Sequence, residues 1–184
     1  MDSLAGKLLI ATPDLADPNF VRTVIFLIHH SEEGAMGVVL NQPTPTTVAA
    51  LWDELSDDEC ECECDEPIYC GGPVEGPLIA LHQLAEISER RVIEGVHLST
   101  RREKLHRMVM QSKFKFRIYA GYSGWGPMQL DEEVEHGGWL TASAHGPHIF
   151  GESDKLWRRV CEHVGYNVLK PHLGNVRPTD PSLN

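Results

Sequence analysis

Residues 23–43 read TVIFLIHHSEEGAMGVVLNQP. From Thr23 to His29 the run is nearly continuous in β-branched and apolar residues, which predicts a buried strand. SEEG follows as a turn. AMGVVLNQP then supplies a second strand, which Pro43 stops. Two strands around a short glycine-containing turn form an antiparallel hairpin. That hairpin weighs against a purely parallel sheet.

Outward from the hairpin, KLLIA at 7–11 predicts another buried strand, and DLADPNF supplies turn residues before it resumes. Val48, Leu51, Trp52 and Leu55 recur at i, i+3, i+4 and i+7. This predicts a short helix capped by Thr46 or Thr47 and ending near Leu55. Short strands are expected at 68–70 and 78–81, around a Gly/Pro-rich turn. Thr100 followed by Glu103 reads as a capping box for a helix over 101–111. Phe114, Phe116, Ile118 and Ala120 alternate, which predicts a strand with one buried face. Pro127 opens a helix that runs to His136 and is closed by Gly137. GGWLTASA predicts a strand, and a last helix covers about 154–164, stopped by Gly165. Roughly eight short strands and four short helices without regular βα alternation indicate an α+β fold with a mixed, largely antiparallel sheet.

The chain has 184 residues, the size of one domain, and no stretch reads as an interdomain linker. We therefore expect a single domain over 1–184, with a loop-like tail from about 171. Its 41% hydrophobic and 23% charged residues are those of a globular protein. Seven of the ten residues at 57–66 are acidic. Charges this dense repel one another, so an exposed acidic, Cys-containing loop is expected at about 56–66. The net charge of -11 disfavours binding to phosphate backbones, and the only basic clusters (Arg90-Arg91, Arg101-Arg102, Arg158-Arg159) are short. The N-terminus has no basic stretch followed by an apolar core, so no signal peptide is expected. No run approaches 18 apolar residues, so no membrane partner is expected. Five cysteines, three of them alternate at Cys60, Cys62 and Cys64, make a poor disulfide framework, and a cytoplasmic location fits.

Structural zinc sites use CxxC pairs, because two-residue loops let both sulfurs reach one ion; CxCxC followed by Cys70 does not match. His29 and His30 are adjacent on a strand and so face opposite ways, and at most one can line a site from there. His145 and His148 flank a Gly-Pro pair with no acidic ligand at metal-binding spacing. GYSGWG at 121–126 nearly imitates a nucleophile elbow, but Trp125 stands where the last glycine belongs. Gly71-Gly72-Pro73 lacks the lysine and spacing of a phosphate loop. Cys161, on the apolar stripe of the last helix, reads as a structural thiol. No metal and no cofactor are expected.

Taken together, these pieces resemble the YqgE/AlgH family of bacterial proteins. The matching residues are Gly6, Leu8, Ala11-Thr12-Pro13, Asp17, Phe20, Arg22-Thr23-Val24, His30, Gly34-Ala35-Met36-Gly37 and Asn41-Gln42-Pro43. They continue through Gly71 to Val74, Leu81-His82, Gly121-Tyr122-Ser123-Gly124-Trp125, Gln129-Leu130, Glu133 and Trp139-Leu140. The resemblance spans about residues 4 to 170. It departs at Met128, where the family usually has glycine, and in the C-terminal ending. It implies that the mixed sheet curls into an irregular pseudo-barrel flanked by short helices. It implies no established enzyme activity. Some members are labelled transcriptional regulators of polysaccharide production, but this chain shows no recognition-helix pattern and carries the wrong charge for direct nucleic-acid binding.

The expected function is therefore that of a non-enzymatic binding or regulatory protein with a protein or small-molecule partner. It would act through a groove with Asp17, Arg22, His30, Asn41 and His82 as candidates. Arg22 could hold an anion bidentately, or could pair with Asp17 and brace the turn. The alternatives are a hydrolase using a histidine base with Ser123 or a metal, and a transcription-linked regulator.

Overall fold

The computed structural model describes residues 2–15, 17–55, 64–110 and 114–173. The acidic stretch at 56–63, with Cys60 and Cys62, and the end of the tail from 174 lie outside them. Among the described residues, eleven strands fall into two sheets. The first contains β1 (Lys7–Ala11), β2 (Val24–Ser31), β3 (Gly34–Val39), β10 (Ser123–Trp125) and β11 (Trp139–Ser143), in the order β10-β3-β2-β1-β11. The second contains β4 (Pro43–Thr47), β5 (Pro67–Cys70), β6 (Ile79–His82), β7 (Arg90–Ile93), β8 (Val96–Ser99) and β9 (Phe116–Ala120), in the order β4-β5-β9-β6-β8-β7. The helices are α1 (Val48–Leu55), α2 (Arg102–Val109), α3 (Gln129–Glu135), α4 (Gly146–Phe150) and α5 (Leu156–Leu173).

The hairpin of 23–43 is β2–β3, antiparallel, with a bulge between Leu27 and His29. All strand pairs are antiparallel except β5 with β9. The mixed sheet is thus present, but the pseudo-barrel is not. Each sheet keeps two free edges, β10 and β11 in one, β4 and β7 in the other, so neither closes or curls on itself. The strands instead switch sheets. The chain leaves β9 in the second sheet, turns at Gly121 with φ +72°, and enters β10 in the first.

Both faces of the central strands are covered, and β1, β2 and β6 are apolar almost throughout, whereas the edge strands β4 and β7 are largely exposed. Leu8, Ile10, Val24, Phe26 and Ile28 point between the sheets and meet Ile79, Leu81, Leu98 and Tyr119. The alternate residues Leu9, Ala11, Ile25 and Leu27 pack outward under Leu130 of α3 and Trp139. On the far side of the second sheet, Ile68, Ala80 and Ile118 pack against Trp52 of α1 and Leu105 and Met108 of α2. Helix α5 closes one end, inserting Leu156 and Val160 into the central layer.

Local signals differ in three places. The predicted capping box of α2 does not form. The Glu89 carboxylate takes that role from outside, accepting from the backbone N–H of Thr100 and Arg101 and from the Thr100 hydroxyl, at 3.0–3.2 Å. Burial pushes the Glu89 carboxyl up, but these hydrogen bonds outweigh burial and hold its pKa below the usual value. Strand β9 is buried on both faces, since Arg117 and Tyr119 are covered as well as Ile118. Gly165 does not stop the last helix but lies within α5. No helix among the described residues is long and apolar enough to cross a membrane.

Candidate functional site

The turn from Asp17 to Thr23 is built by its own polar atoms. The Asp17 carboxylate accepts from the backbone and side-chain N–H groups of Asn19, at 2.9 and 3.0 Å, and so caps the 3-10 turn at Pro18–Phe20. The backbone N–H and hydroxyl of Thr23 both donate to the Phe20 carbonyl. Between them, Arg22 sits in the left-handed region at φ +54°. Non-glycine residues enter this region at a cost of about 1–2 kcal/mol. Asn41 holds it there. Its amide donates to the Arg22 carbonyl at 2.9 Å, while its side-chain oxygen accepts from the Val24 N–H at 2.8 Å. Gln42 reaches the Asn19 carbonyl.

The result is a ledge on which Arg22 and Val21 are exposed. The Arg22 guanidinium lies over the Trp157 ring, 5.9 Å from its centroid, and among the described residues it has no carboxylate partner. Asp17 spends its carboxylate on the turn and does not pair with Arg22. The structure thus brings Asp17, Arg22 and Asn41 together.

His30 and His82 lie elsewhere and are buried. His30 Nδ1 accepts from the Leu4 N–H at 2.9 Å, which leaves the proton on Nε2, 3.2 Å from the Asp131 carboxylate. His82 Nδ1 accepts from the Leu84 N–H, so Nε2 donates to the Ser99 hydroxyl at 3.0 Å, which donates in turn to the Ile87 carbonyl. Both rings have both nitrogens engaged. Burial, followed by the neighbouring His97, lowers the His82 pKa to about 4. Ser123 is fully buried in β10 and donates to the Gly71 carbonyl at 3.2 Å. None of His30, His82 and His145 is hydrogen-bonded to it. Among the described residues no group of three His, Cys, Asp or Glu side chains is placed to hold a metal ion.

A model of the AlgH-like family matches residues 8–169. The chain belongs to the AlgH-like family. A UPF0301 protein of Streptomyces avermitilis is 36% identical over 200 residues, covering all of this chain and 97% of its own length. A UPF0301 protein of Myxococcus xanthus is 36% identical over 168 residues, covering 90% of this chain and 93% of its own. The solution structure of AlgH from Pseudomonas aeruginosa superposes with a TM-score of 0.77 at 29% identity, over 95% of this chain and 96% of that one. A crystal structure of a Corynebacterium diphtheriae protein shares the fold, with a TM-score of 0.70 at 23% identity, over 89% and 87%.

The AlgH-like signature residues have structural partners here. Trp125 and Trp139 donate their indole N–H groups to one Glu133 oxygen at 3.0 and 2.8 Å, and Gln129 donates to the other. Phe20 packs against both indoles. The glycines form the seam where strands change sheet. A Cβ on Gly71 would lie 2.2 Å from the Gly121 carbonyl oxygen, and one on Gly72 would lie 2.4 Å from the Ser123 hydroxyl. Met128 stands in the left-handed region at φ +59°. Of the signature's charged residues, Asp17 and Glu133 spend their carboxylates on neutral hydrogen-bond donors, whereas Arg22 is exposed and has no carboxylate partner among the described residues.

Two further concavities were not foreseen. A cleft of about 920 Å³ between β11, α4 and α5 gathers His145, His148, Arg159 and His163. Burial first, then His145, His163 and Arg159, lowers the His148 pKa. A smaller cavity, of about 520 Å³, contains the buried Arg117. Its only sequence signal is a charged residue on a strand whose neighbours are apolar.

Proposed function

We propose that this AlgH-like protein is a non-enzymatic binding protein that holds an anionic group of a protein or small-molecule partner on the ledge formed by Asp17, Arg22 and Asn41. One observation carries the reading. Arg22 is exposed and free of carboxylate partners among the described residues, while its backbone is held in a costly conformation by Asn41. Strain fixed by surrounding structure is a mark of functional positions. A guanidinium resting on an indole is pre-oriented, so less freedom is lost when it meets a carboxylate or phosphate.

The hydrolase alternative lacks a comparable support. Its serine is buried and its histidines are spent on backbone and side-chain partners. The transcription-linked alternative survives only as regulation through a protein partner, because the chain's net charge opposes direct contact with a phosphate backbone.

The test is an NMR titration with inorganic phosphate and with acetate at low ionic strength, following the Arg22 Nε–H and Trp157 indole signals. Saturable shifts confined to 17–23, 41–43 and Trp157, and abolished in Arg22→Ala, are expected. Shifts that persist in Arg22→Ala, or none at this ledge, would remove the reading.

A further inference from the structure

Arg117 is the one buried Arg or Lys among the described residues, at 9% exposure. Its guanidinium donates to the carbonyls of Leu40 and Gly151 and stacks on Tyr69, 4.5 Å from the ring centroid. Carbonyl oxygens satisfy some of its five donors but do not neutralise it. It has no carboxylate partner among the described residues. Removing an unpaired guanidinium from water is costly, so a buried one calls for an anion. Polar groups gather beside it. The Tyr69 hydroxyl lies 3.5 Å from the Ser153 hydroxyl, and the neighbouring Tyr119 hydroxyl is buried without a hydrogen-bond partner.

Tyr69, Arg117 and Ser153 line a cavity of about 520 Å³, and Tyr119 lies behind Tyr69 outside its lining. The volume suits a small molecule. The rim is different in character. Glu66, Glu152, Asp154 and Lys155 line it and are exposed. Glu152 is paired with Arg159 at 3.8 Å, so Glu66 and Asp154 stand against Lys155, and these carboxylates would repel a polyanion at the entrance. They would attract a positive group on a ligand whose negative end reaches Arg117.

We propose that this cavity binds a small zwitterion of the amino-acid class, with its carboxylate on the Arg117 guanidinium and its ammonium toward the rim carboxylates. The Tyr69 hydroxyl donates to Ser153, which leaves the Ser153 proton free to donate to the second carboxylate oxygen. The site is separate from the Arg22 ledge, so Arg22→Ala leaves it intact.

The twenty standard amino acids, each at 10 mM, serve as probes in a thermal-shift series in amine-free buffer, followed by calorimetric titration of any that stabilise. Acetate and methylamine serve as half-probes. At least one amino acid is expected to raise the melting temperature, with neither half-probe doing so at the same concentration. The Glu66→Gln/Asp154→Asn variant, changed only at exposed positions, is expected to bind about tenfold more weakly, the effect of one lost ionic contact. Tyr69→Phe, which keeps the stacked ring, is expected to lose severalfold. Silence across the whole panel would overturn the proposal. So would acetate binding as tightly as the amino acid, or unchanged affinity in the rim variant.

Discussion

The side-chain amide of Asn41 donates to the backbone carbonyl of Arg22 at 2.9 Å, across the gap between two loops that frame the end of the hairpin. Together with its bond to Val24, this contact holds Arg22 left-handed. Asn41→Ala removes both bonds and leaves the Val24 N–H unpaired. A loss of about 1–3 kcal/mol is expected. Urea denaturation measures it, and a loss under 0.5 kcal/mol (on the order of ordinary surface changes) would show that the turn holds itself.

Met128 invites the opposite result. It begins α3 in the left-handed region, where glycine carries no Cβ penalty. Met128→Gly is expected to raise stability by up to about 1 kcal/mol, because relief of the left-handed strain exceeds glycine's extra entropy in the unfolded chain. Met128→Ala keeps the strain and should show no gain. Equal effects of the two substitutions in thermal unfolding would refute the assignment.

Acid should weaken the fold through His82. Its folded pKa of about 4 lies below the ordinary 6.5, so the unfolded chain binds a proton that the folded chain refuses. The stabilisation is complete above pH 6.5, is lost as pH falls from there to about 4, and is flat below. The full span corresponds to about 3 to 4 kcal/mol as an upper bound. His148, lowered in the same direction, adds to it. Unfolding free energies at several pH values should show this slope, and His82→Gln should flatten it. An unaltered slope would place the acid sensitivity elsewhere.

Glu133 joins two indoles that stand on different strands. Glu133→Ala strands both N–H groups in a partly buried setting, at an expected cost of about 2–4 kcal/mol. Glu133→Gln keeps an acceptor and should recover about half. The tryptophan emission of Glu133→Ala should change while far-ultraviolet dichroism does not. If Gln and Ala cost the same, the carboxylate charge and not the shared acceptor holds the brace.

The local signals in the sequence were legible where the interaction itself is local. Thr47 caps α1 by accepting from the Ala50 N–H, and Gly137 takes the left-handed position after α3. The hairpin forms, with a tighter turn at Glu32-Glu33 than expected and with Pro43 opening β4 rather than ending β3. What was not legible depends on distant partners. Glu89 replaces the expected Thr100 cap because β7 and β8 carry it to the helix start. β4 forms despite Pro43 and Pro45 because it is an edge strand, where a missing N–H is tolerated. The curled sheet failed because glycines at 71, 72 and 121 let the chain cross between two open sheets. Of the candidate site, the residues of the turn and of Asn41 converge, whereas His30 and His82 lie inside the protein. Nothing in the sequence marked which polar residues would be consumed by backbone partners. Arg117 carries no local signal for the same reason, since its burial is set by Leu40 and Gly151, far from it in the chain.

The proposed function places binding on the Arg22 ledge and not on the buried histidines or Ser123. Copurification from the native cell, comparing the wild type with Arg22→Ala and Ser123→Ala after each is shown to be folded, tests it most directly. The account predicts that material retained by the wild type is retained by Ser123→Ala and lost, by tenfold or more for about 1.4 kcal/mol of lost ionic contact, from Arg22→Ala. Retention by Arg22→Ala at the wild-type level, with loss from Ser123→Ala, would contradict it.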